Sequence, residues 1–185
     1  REVLKKYKSE LKHGAITIAN HVYRLDCPCV LIAVKGTHRT RIPMFAPNFR
    51  TKDGFFMQLA GGVPIPDSTT NMSALKKFNE AFDEFHRRGW WFHIFPEACR
   101  WDFYKPLRPF QKGAFTMSYK YNKPLVPCVI TYRERKGIFR LFGPKDLPLL
   151  TITIGDPIFP DTTQPRKTEV ERLRDVAHHQ MPKMA

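Results

Sequence analysis

The stretch "GAITIANHVYRLDCPCVLIAV" (residues 14–34) contains a predicted strand, a short polar loop and a predicted helix in succession. Its first part, residues 14–20, is an apolar run that is typical of a buried strand. After the loop the chain is apolar again as far as Val34, and we expect a helix there. Strands and helices continue to alternate along the chain, which predicts an α/β fold with a mixed, largely buried sheet flanked by helices.

The clearest helix is predicted over residues 71–88, where large apolar residues recur at spacings of three and four positions. Charged residues fill the opposite face, and Gly89 marks the end of the helix. The segment "WWFHIF" (residues 90–95) follows as a buried strand. Further strands are predicted at residues 123–132, 137–143 and 149–155, further helices at 53–60, 114–122 and 166–179, an extended segment at 61–66, and loops at 35–52 and 96–113.

The length and composition of the chain predict a single domain over residues 1–185. A chain of 185 residues can bury a core of its own, and a hydrophobic content of 42% argues against a disordered protein. The first segment, residues 1–13, is predicted to be the basic end of an N-terminal helix. No run of about 18 apolar residues is present, so the sequence predicts no membrane-spanning segment.

The strongly basic composition indicates an anionic partner. Lysine and arginine total 31 against 17 aspartate and glutamate, a formal net charge of +14. Such a charge suits a nucleic acid, an acidic membrane surface or a negatively charged substrate. In residues 35–52, five cations alternate with Met44, Phe45 and Phe49, and no acid is present. That pattern is typical of a membrane interface, and a solvated surface loop is the alternative.

The four cysteines show no metal-binding pattern. Cys27 and Cys29 are separated by one residue, whereas Cys99 and Cys128 are isolated. We therefore expect reduced thiols in a protein that faces the cytosol, and no metal site.

Two loops that follow predicted strands carry residues suited to catalysis, in the region where α/β folds place their sites. The first holds His21 and Asp26, and the second holds Glu97 and Arg100. If Asp26 begins the helix, its carboxylate can accept a hydrogen bond from one imidazole nitrogen and leave the other as a general base. The structural alternatives are that His21 and Asp26 cap local elements, and that Glu97 and Arg100 form a loop salt bridge.

Four ordered blocks of residues make the chain resemble a known enzyme family. They are Asn20, His21 and Asp26 in the pattern N-H-x-x-x-x-D; Phe95, Pro96, Glu97 and Arg100 in the pattern F-P-E-x-x-R; Lys112, Gly113, Ala114 and Phe115; and Pro127 in an apolar strand. Over residues 15–132 the sequence is similar to the glycerolipid acyltransferases, the lysophosphatidate (1-acylglycerol-3-phosphate) acyltransferases and their relatives. The four blocks together, in this order, are more specific than any one of them.

This resemblance implies an acyltransferase-like fold and transfer of a fatty acyl chain from a thioester to the hydroxyl of a lysophospholipid, with 1-acylglycerol-3-phosphate as the acceptor, in phospholipid synthesis. The thioester of coenzyme A or acyl carrier protein is a co-substrate, and neither a cofactor nor a nucleic acid is required. His21 would be the base and Asp26 its orienting partner, and the enzyme would work at the cytoplasmic face of a membrane. The residues that bind substrate would be Glu97, Arg100, Lys112 and Gly113.

Two positions depart from the family pattern. Ala98 replaces the glycine that follows the glutamate, which matters only if the backbone there needs a positive φ. Asp67 stands where the family has an arginine for the acceptor's phosphate, so another cation must substitute or the acceptor must differ. The candidate substitutes are Arg100, Lys105, Arg108 and Lys112.

Three other functions fit parts of the sequence. A nucleic-acid-binding module would explain the charge, although the chain contains no recognised nucleic-acid-binding motif. A hydrolase could use Cys27 beside His21, although the nucleophile motif G-x-S-x-G is missing. A non-catalytic lipid-binding protein would keep the fold without turnover.

Overall fold

A mixed sheet organises the computed structural model, which describes residues 2–34, 39–66, 71–141 and 148–185. The strands are β1 Ile16–Ala19, β2 Thr40–Phe45, β3 Gly62–Ile65, β4 Trp91–Ile94, β5 Leu125–Arg133 and β6 Leu149–Ile154. Their order across the sheet is β3-β2-β4-β1-β5-β6. The first five strands run parallel, and β6 pairs with β5 in the antiparallel direction, so the predicted fold class is confirmed.

Helices pack on both faces of this sheet. The α-helices are α1 Glu2–Lys6, α2 Asp26–Val34, α3 Gly54–Leu59, α4 Met72–Arg87, α5 Gly113–Tyr121 and α6 Arg166–Gln180. One apolar layer joins α4, α5 and α6 to the sheet through Phe82, Phe115 and Leu173. A second layer contains Val30 of α2 and Ala19 of β1. Because both faces are covered, every residue of β1 is buried.

The helix predicted over residues 71–88 is confirmed as α4. Its first turn is capped by Asn71, whose side-chain oxygen accepts a hydrogen bond from the Ala74 N–H at 2.8 Å. The apolar stripe faces β4, where the Phe82 ring meets the Phe92 ring at a centroid distance of 4.9 Å. This packing fixes the strand that leads into the second predicted site loop. Within the described residues, no helix is long and apolar enough to cross a bilayer.

The described part of the predicted loop 35–52 is instead a strand, β2, followed by a 3-10 helix, Ala46–Arg50. Pro43 in the middle of β2 conceals the strand in the sequence, because proline cannot donate a ladder hydrogen bond. The Ile42 N–H donates to the β3 side of β2, so Pro43 faces the β4 side. The pairing between β2 and β4 ends at Arg41, so a main-chain N–H at position 43 would have no acceptor on β4.

The strand predicted at residues 137–143 is wrong in its described part. Gly137–Arg140 forms a 3-10 helix, and Gly137 has a φ of +59° that turns the chain away from β5. The edge of β5 is taken by β6 instead. The apolar side chains of Ile138 and Leu141, which suggested a buried strand, are largely exposed.

The N-terminal segment contains less helix than predicted for residues 1–13. Helix α1 ends at Lys6, and turns lead from there to β1. The buried Lys123 side chain ties this segment to the sheet, because its Nζ donates to the carbonyl oxygens of His13 at 2.7 Å and Trp90 at 3.0 Å.

Candidate active site

His21 and Asp26 form the hydrogen-bonded pair that the sequence predicts. His21 follows β1 directly, and Asp26 is the first residue of α2. The imidazole Nδ1 lies 2.8 Å from Asp26 Oδ2. Since an ionised carboxylate only accepts hydrogen bonds, Nδ1 carries the proton and Nε2 is left with a free lone pair. The His21 side chain is 21% exposed, whereas that of Asp26 is fully buried.

The Asp26 carboxylate holds the turn that precedes it rather than capping α2. Its Oδ2 atom also accepts hydrogen bonds from the main-chain N–H groups of Val22 at 2.7 Å and Tyr23 at 2.8 Å. These bonds fold the chain between His21 and Asp26 into a tight turn. Two residues that would face different directions on one continuous helix can therefore meet.

The Phe95 ring limits the orientation of the imidazole. It stacks on the His21 ring at a centroid distance of 4.0 Å with an interplanar angle of 14°. Phe95 lies between β4 and the second loop, so the two halves of the site touch through this stack. Phe95 is part of the pattern F-P-E-x-x-R, but the sequence alone assigns it no role.

Asn20 fixes the end of β1 from which His21 projects. Its Nδ2 donates to the Ile130 carbonyl oxygen at 2.9 Å, and its Oδ1 accepts from the Ile130 N–H at 2.7 Å. The side chain thus continues the hydrogen bonding between β1 and β5 beyond the last strand residue. Asn20 also appeared in the sequence motif, but only the structure assigns it this positioning role.

Glu97 contacts the main chain of His21. It sits in a turn in which the Ala98 N–H donates to the Phe95 carbonyl oxygen at 3.1 Å, with Pro96 at the position that favours such a turn. Glu97 is 6% exposed. Its Oε2 accepts from the His21 N–H at 3.2 Å, and its Oε1 accepts from the Arg108 N–H at 3.1 Å. The carboxylate therefore joins three segments of the site.

The second loop runs alongside the first. The N–H groups of Trp101 and Phe103 donate to the carbonyl oxygens of His21 at 3.0 Å and Val22 at 2.8 Å. The rings of Tyr23 and Phe103 also stack, at 5.5 Å. Because the N–H groups of His21, Val22 and Tyr23 already donate to carboxylates, none of the three can bind a substrate oxyanion in this arrangement.

The remaining predicted substrate-binding residues lie farther along the second loop. Arg100 pairs with Asp102 through Nε at 2.9 Å, and Lys112 pairs with Glu171 at 3.0 Å. Gly113 begins α5, and no atom lies within 4 Å of the position that a Cβ would occupy there. Within the described residues, no hydrogen bond joins any of these side chains to the His21–Asp26 pair.

Arg108 is the other notable cation of this loop. Its guanidinium lies 4.5 Å from the centre of the Trp101 ring and contacts the Cys99 sulfur. Asp67, which replaces the arginine of the family pattern, lies outside the described residues, so the structure does not test its effect.

The thiol next to the pair is poorly suited to act as a nucleophile. Burial, and then the neighbouring Asp26 carboxylate, raise the pKa of Cys27 to about 12. It is therefore a thiol at neutral pH. The described residues also contain no group of three or more His, Cys, Asp or Glu side chains that could hold a metal ion.

A profile of the Acyltransferase family matches residues 1–131, which is more than half of the chain. The chain belongs to the acyltransferase family. The match covers the His21–Asp26 pair and the loop that carries Glu97, and it confirms the resemblance found from the four blocks.

A solved acyltransferase shares the fold of this acyltransferase chain. It is the 1-acyl-sn-glycerophosphate (LPA) acyltransferase PlsC from Thermotoga maritima, with a TM-score of 0.55 and 19% sequence identity. The alignment covers 90% of this chain and 66% of that enzyme, so the chain spans just under two thirds of its length. At this identity the similarity is one of fold. A search of curated protein sequences found no match.

Proposed function

We propose that this acyltransferase chain moves a fatty acyl group from the thioester of coenzyme A or acyl carrier protein to the hydroxyl of a lysophospholipid, with 1-acylglycerol-3-phosphate as the acceptor. The observation that carries the proposal is the His21–Asp26 pair, in which Nδ1 is held by a buried carboxylate and Nε2 keeps its lone pair. No serine or cysteine completes a triad in the family motif, so the hydroxyl belongs to the acceptor.

The reaction transfers one proton from the acceptor hydroxyl, through His21, to the thiolate leaving group. His21 Nε2 removes the proton from the acceptor hydroxyl while the hydroxyl oxygen attacks the thioester carbonyl carbon. The carbonyl becomes an oxyanion in a tetrahedral intermediate, which collapses to the new ester as the carbon–sulfur bond breaks. The imidazolium then donates this proton to the departing thiolate, which leaves as the free thiol. Asp26 stabilises the imidazolium throughout, because its negative charge lies against Nδ1.

The polar head of the acceptor would bind to cations of the second loop. Arg100 and Arg108 offer planar guanidinium groups that donate paired hydrogen bonds to a phosphate. Lys105 and Lys112 are the other cations of this loop. We assign Glu97 to positioning rather than to direct substrate contact, because both of its oxygens already accept main-chain hydrogen bonds.

A thioester donor is cytosolic and a lysophospholipid resides in a bilayer. We therefore place the protein at the cytoplasmic face of a membrane, in phospholipid synthesis. The net charge of +14 supports contact with an anionic surface.

The test is acyl transfer by the purified protein, with both thioester donors and a panel of lysophospholipids in detergent micelles. Wild type should form product, and His21→Ala should lose at least about a thousandfold in turnover. Thermal melts would show that the variant is folded. Full turnover by a folded His21→Ala would remove the base role, and no turnover by either protein would favour a non-catalytic lipid-binding function.

A further inference from the structure

Large apolar side chains are exposed at the last residue of β2 and on α3. Phe45, Phe55, Phe56 and Leu59 are between 64 and 67% exposed. The last three belong to α3 and share one face of that helix, because they are spaced three or four positions apart or are adjacent. Single exposed apolar residues are ordinary, whereas a contiguous set marks an interaction surface. We call these four residues the α3 cluster.

A second exposed cluster follows β5. It comprises Ile138, Phe139 and Leu141, which are 64, 47 and 80% exposed. The 3-10 helix Gly137–Arg140 carries the first two, and Leu141 follows it. We call these three residues the β5 cluster.

The sheet places the two clusters on opposite sides of the active site. Strands β2, β4, β1 and β5 lie in that order and run parallel, so their carboxyl ends share one edge. His21 follows β1 and Glu97 follows β4, between the clusters. Neighbouring strands are about 4.8 Å apart, so β2 lies roughly 10 Å to one side of β1 and β5 roughly 5 Å to the other. Ala19 pairs with Cys128, so β5 continues for roughly another 16 Å, to Arg133, before the chain reaches the β5 cluster.

Exposed cations accompany both clusters. Arg50 and Lys52 precede α3, and Arg133 and Lys136 precede the β5 cluster, each pair with one exposed acid beside it. The Arg133 guanidinium lies 5.8 Å from the centre of the Phe139 ring. Apolar side chains mixed with cations suit the interface of a membrane with anionic head groups. A second copy of the chain is a poorer occupant, since two surfaces of a +14 protein repel each other.

We propose that the α3 cluster and the β5 cluster both contact the surface of a bilayer of anionic phospholipid. The active site lies between the two clusters, so the acceptor enters it from the bilayer. This orientation rests on the proposed function. The membrane would contact the edge of the sheet that carries His21. The membrane-binding surface would include α3 and the 3-10 helix after β5.

The first test is flotation with vesicles of phosphatidylcholine, with and without phosphatidylglycerol. Wild type should bind the anionic vesicles and release them as salt is raised. The paired variants Phe55→Ser/Phe56→Ser and Ile138→Ser/Leu141→Ser should each bind about tenfold more weakly. Phe159→Ser is the matched control, because Phe159 is 45% exposed beside the opposite end of β5 and should leave binding unchanged.

Two results would overturn the proposal. One is wild-type vesicle binding by both paired variants, with each shown to be folded by its melting curve. The other is a wild-type dimer that the paired variants convert to monomer, which would assign the clusters to a second copy of the chain.

A second test distinguishes an effect on membrane binding from an effect on catalysis. With a short-chain lysophosphatidate dissolved as a monomer, the paired variants should turn over at the wild-type rate, and with the same head group in vesicles they should be about tenfold slower. Equal losses on both acceptors would contradict a membrane role. If wild type turned over neither acceptor, the proposed function would fail, and the flotation result would still decide the surface.

Discussion

The substitution Asp26→Asn tests the negative charge next to His21, because asparagine has nearly the same size and shape as aspartate but no charge. In Asp26→Asn, the amide oxygen can still accept from the Val22 and Tyr23 N–H groups, which hold the turn in wild type. The negative charge that stabilises the imidazolium is lost. The amide N–H groups would take the place of Oδ1, which is buried and has no partner within the described residues. We expect turnover to fall about a thousandfold, and the free energy of unfolding to fall by about 1–3 kcal/mol. An Asp26→Asn protein that is unfolded at 25 °C would show that Asp26 acts mainly on the fold.

Ala98 is a strained residue at the edge of the site. Its φ is +60°, a conformation that costs an alanine about 1 kcal/mol and costs glycine almost nothing. Ala98→Gly should therefore raise the free energy of unfolding by about 0.5–1 kcal/mol, measured by urea titration. Ala60→Gly is the control, because Ala60 has a φ of −73° and gains nothing from glycine. Equal effects of the two substitutions would exclude the backbone explanation.

At the scale of elements, β1 and β4 are joined by a buried polar pair. The Thr17 hydroxyl donates to the Phe92 carbonyl oxygen at 3.2 Å and accepts from the His93 Nδ1–H at 2.9 Å. His93 is fully buried, and its Nε2 has no partner within the described residues. Burial, and then the nearby His21, lower the pKa of His93 to about 3.

This pair predicts a sensitivity to acid. The unfolded state takes up a proton near pH 6.5, whereas folded His93 resists it down to about pH 3, so the stability that neutral His93 contributes falls as the pH drops through that interval. The slope is about 1.4 kcal/mol per pH unit. His93→Leu should be less sensitive to pH between 6.5 and 4.5, measured by urea titration at each pH. Parallel curves for the two proteins would contradict a neutral His93.

At the scale of the whole molecule, the cysteines report on global unfolding. Cys99 is exposed, whereas Cys128 is fully buried in β5 and its burial raises its pKa to about 12. Iodoacetamide at pH 8 should label Cys99 quickly and Cys128 only as fast as the protein unfolds, as measured by peptide mass spectrometry. Similar rates for both thiols would show that the core opens locally.

Substitution of Cys27 tests whether its thiol takes part in the reaction. Its raised pKa makes it a thiol at neutral pH, so Cys27→Ala should keep most of the acyl transfer activity. Abolished turnover in a folded Cys27→Ala would favour a hydrolase-like reaction in which Cys27 is the nucleophile.

The sequence by itself determined the elements whose signals are local. The stripe of apolar residues in α4, the apolar runs of β1 and β5, and the spacing of His21 and Asp26 all depend on neighbours in the chain. Such signals predict the α/β fold because periodicity decides which face of an element is buried. The missed strand β2 contains a proline. In the described part of the wrongly predicted strand, the apolar residues Ile138, Phe139 and Leu141 are exposed. In both places the tertiary environment overrides the local signal.

Only the tertiary structure decided how the site is assembled. Parallel pairing of β1 with β4 brings Glu97 to the His21 main chain, and pairing of β1 with β5 lets Asn20 bind Ile130. The positive φ of Ala98 and the exposure of the α3 cluster likewise depend on packing. The physical reason is that these contacts join residues far apart in the chain, and sequence patterns report only the periodicity and propensity of nearby residues.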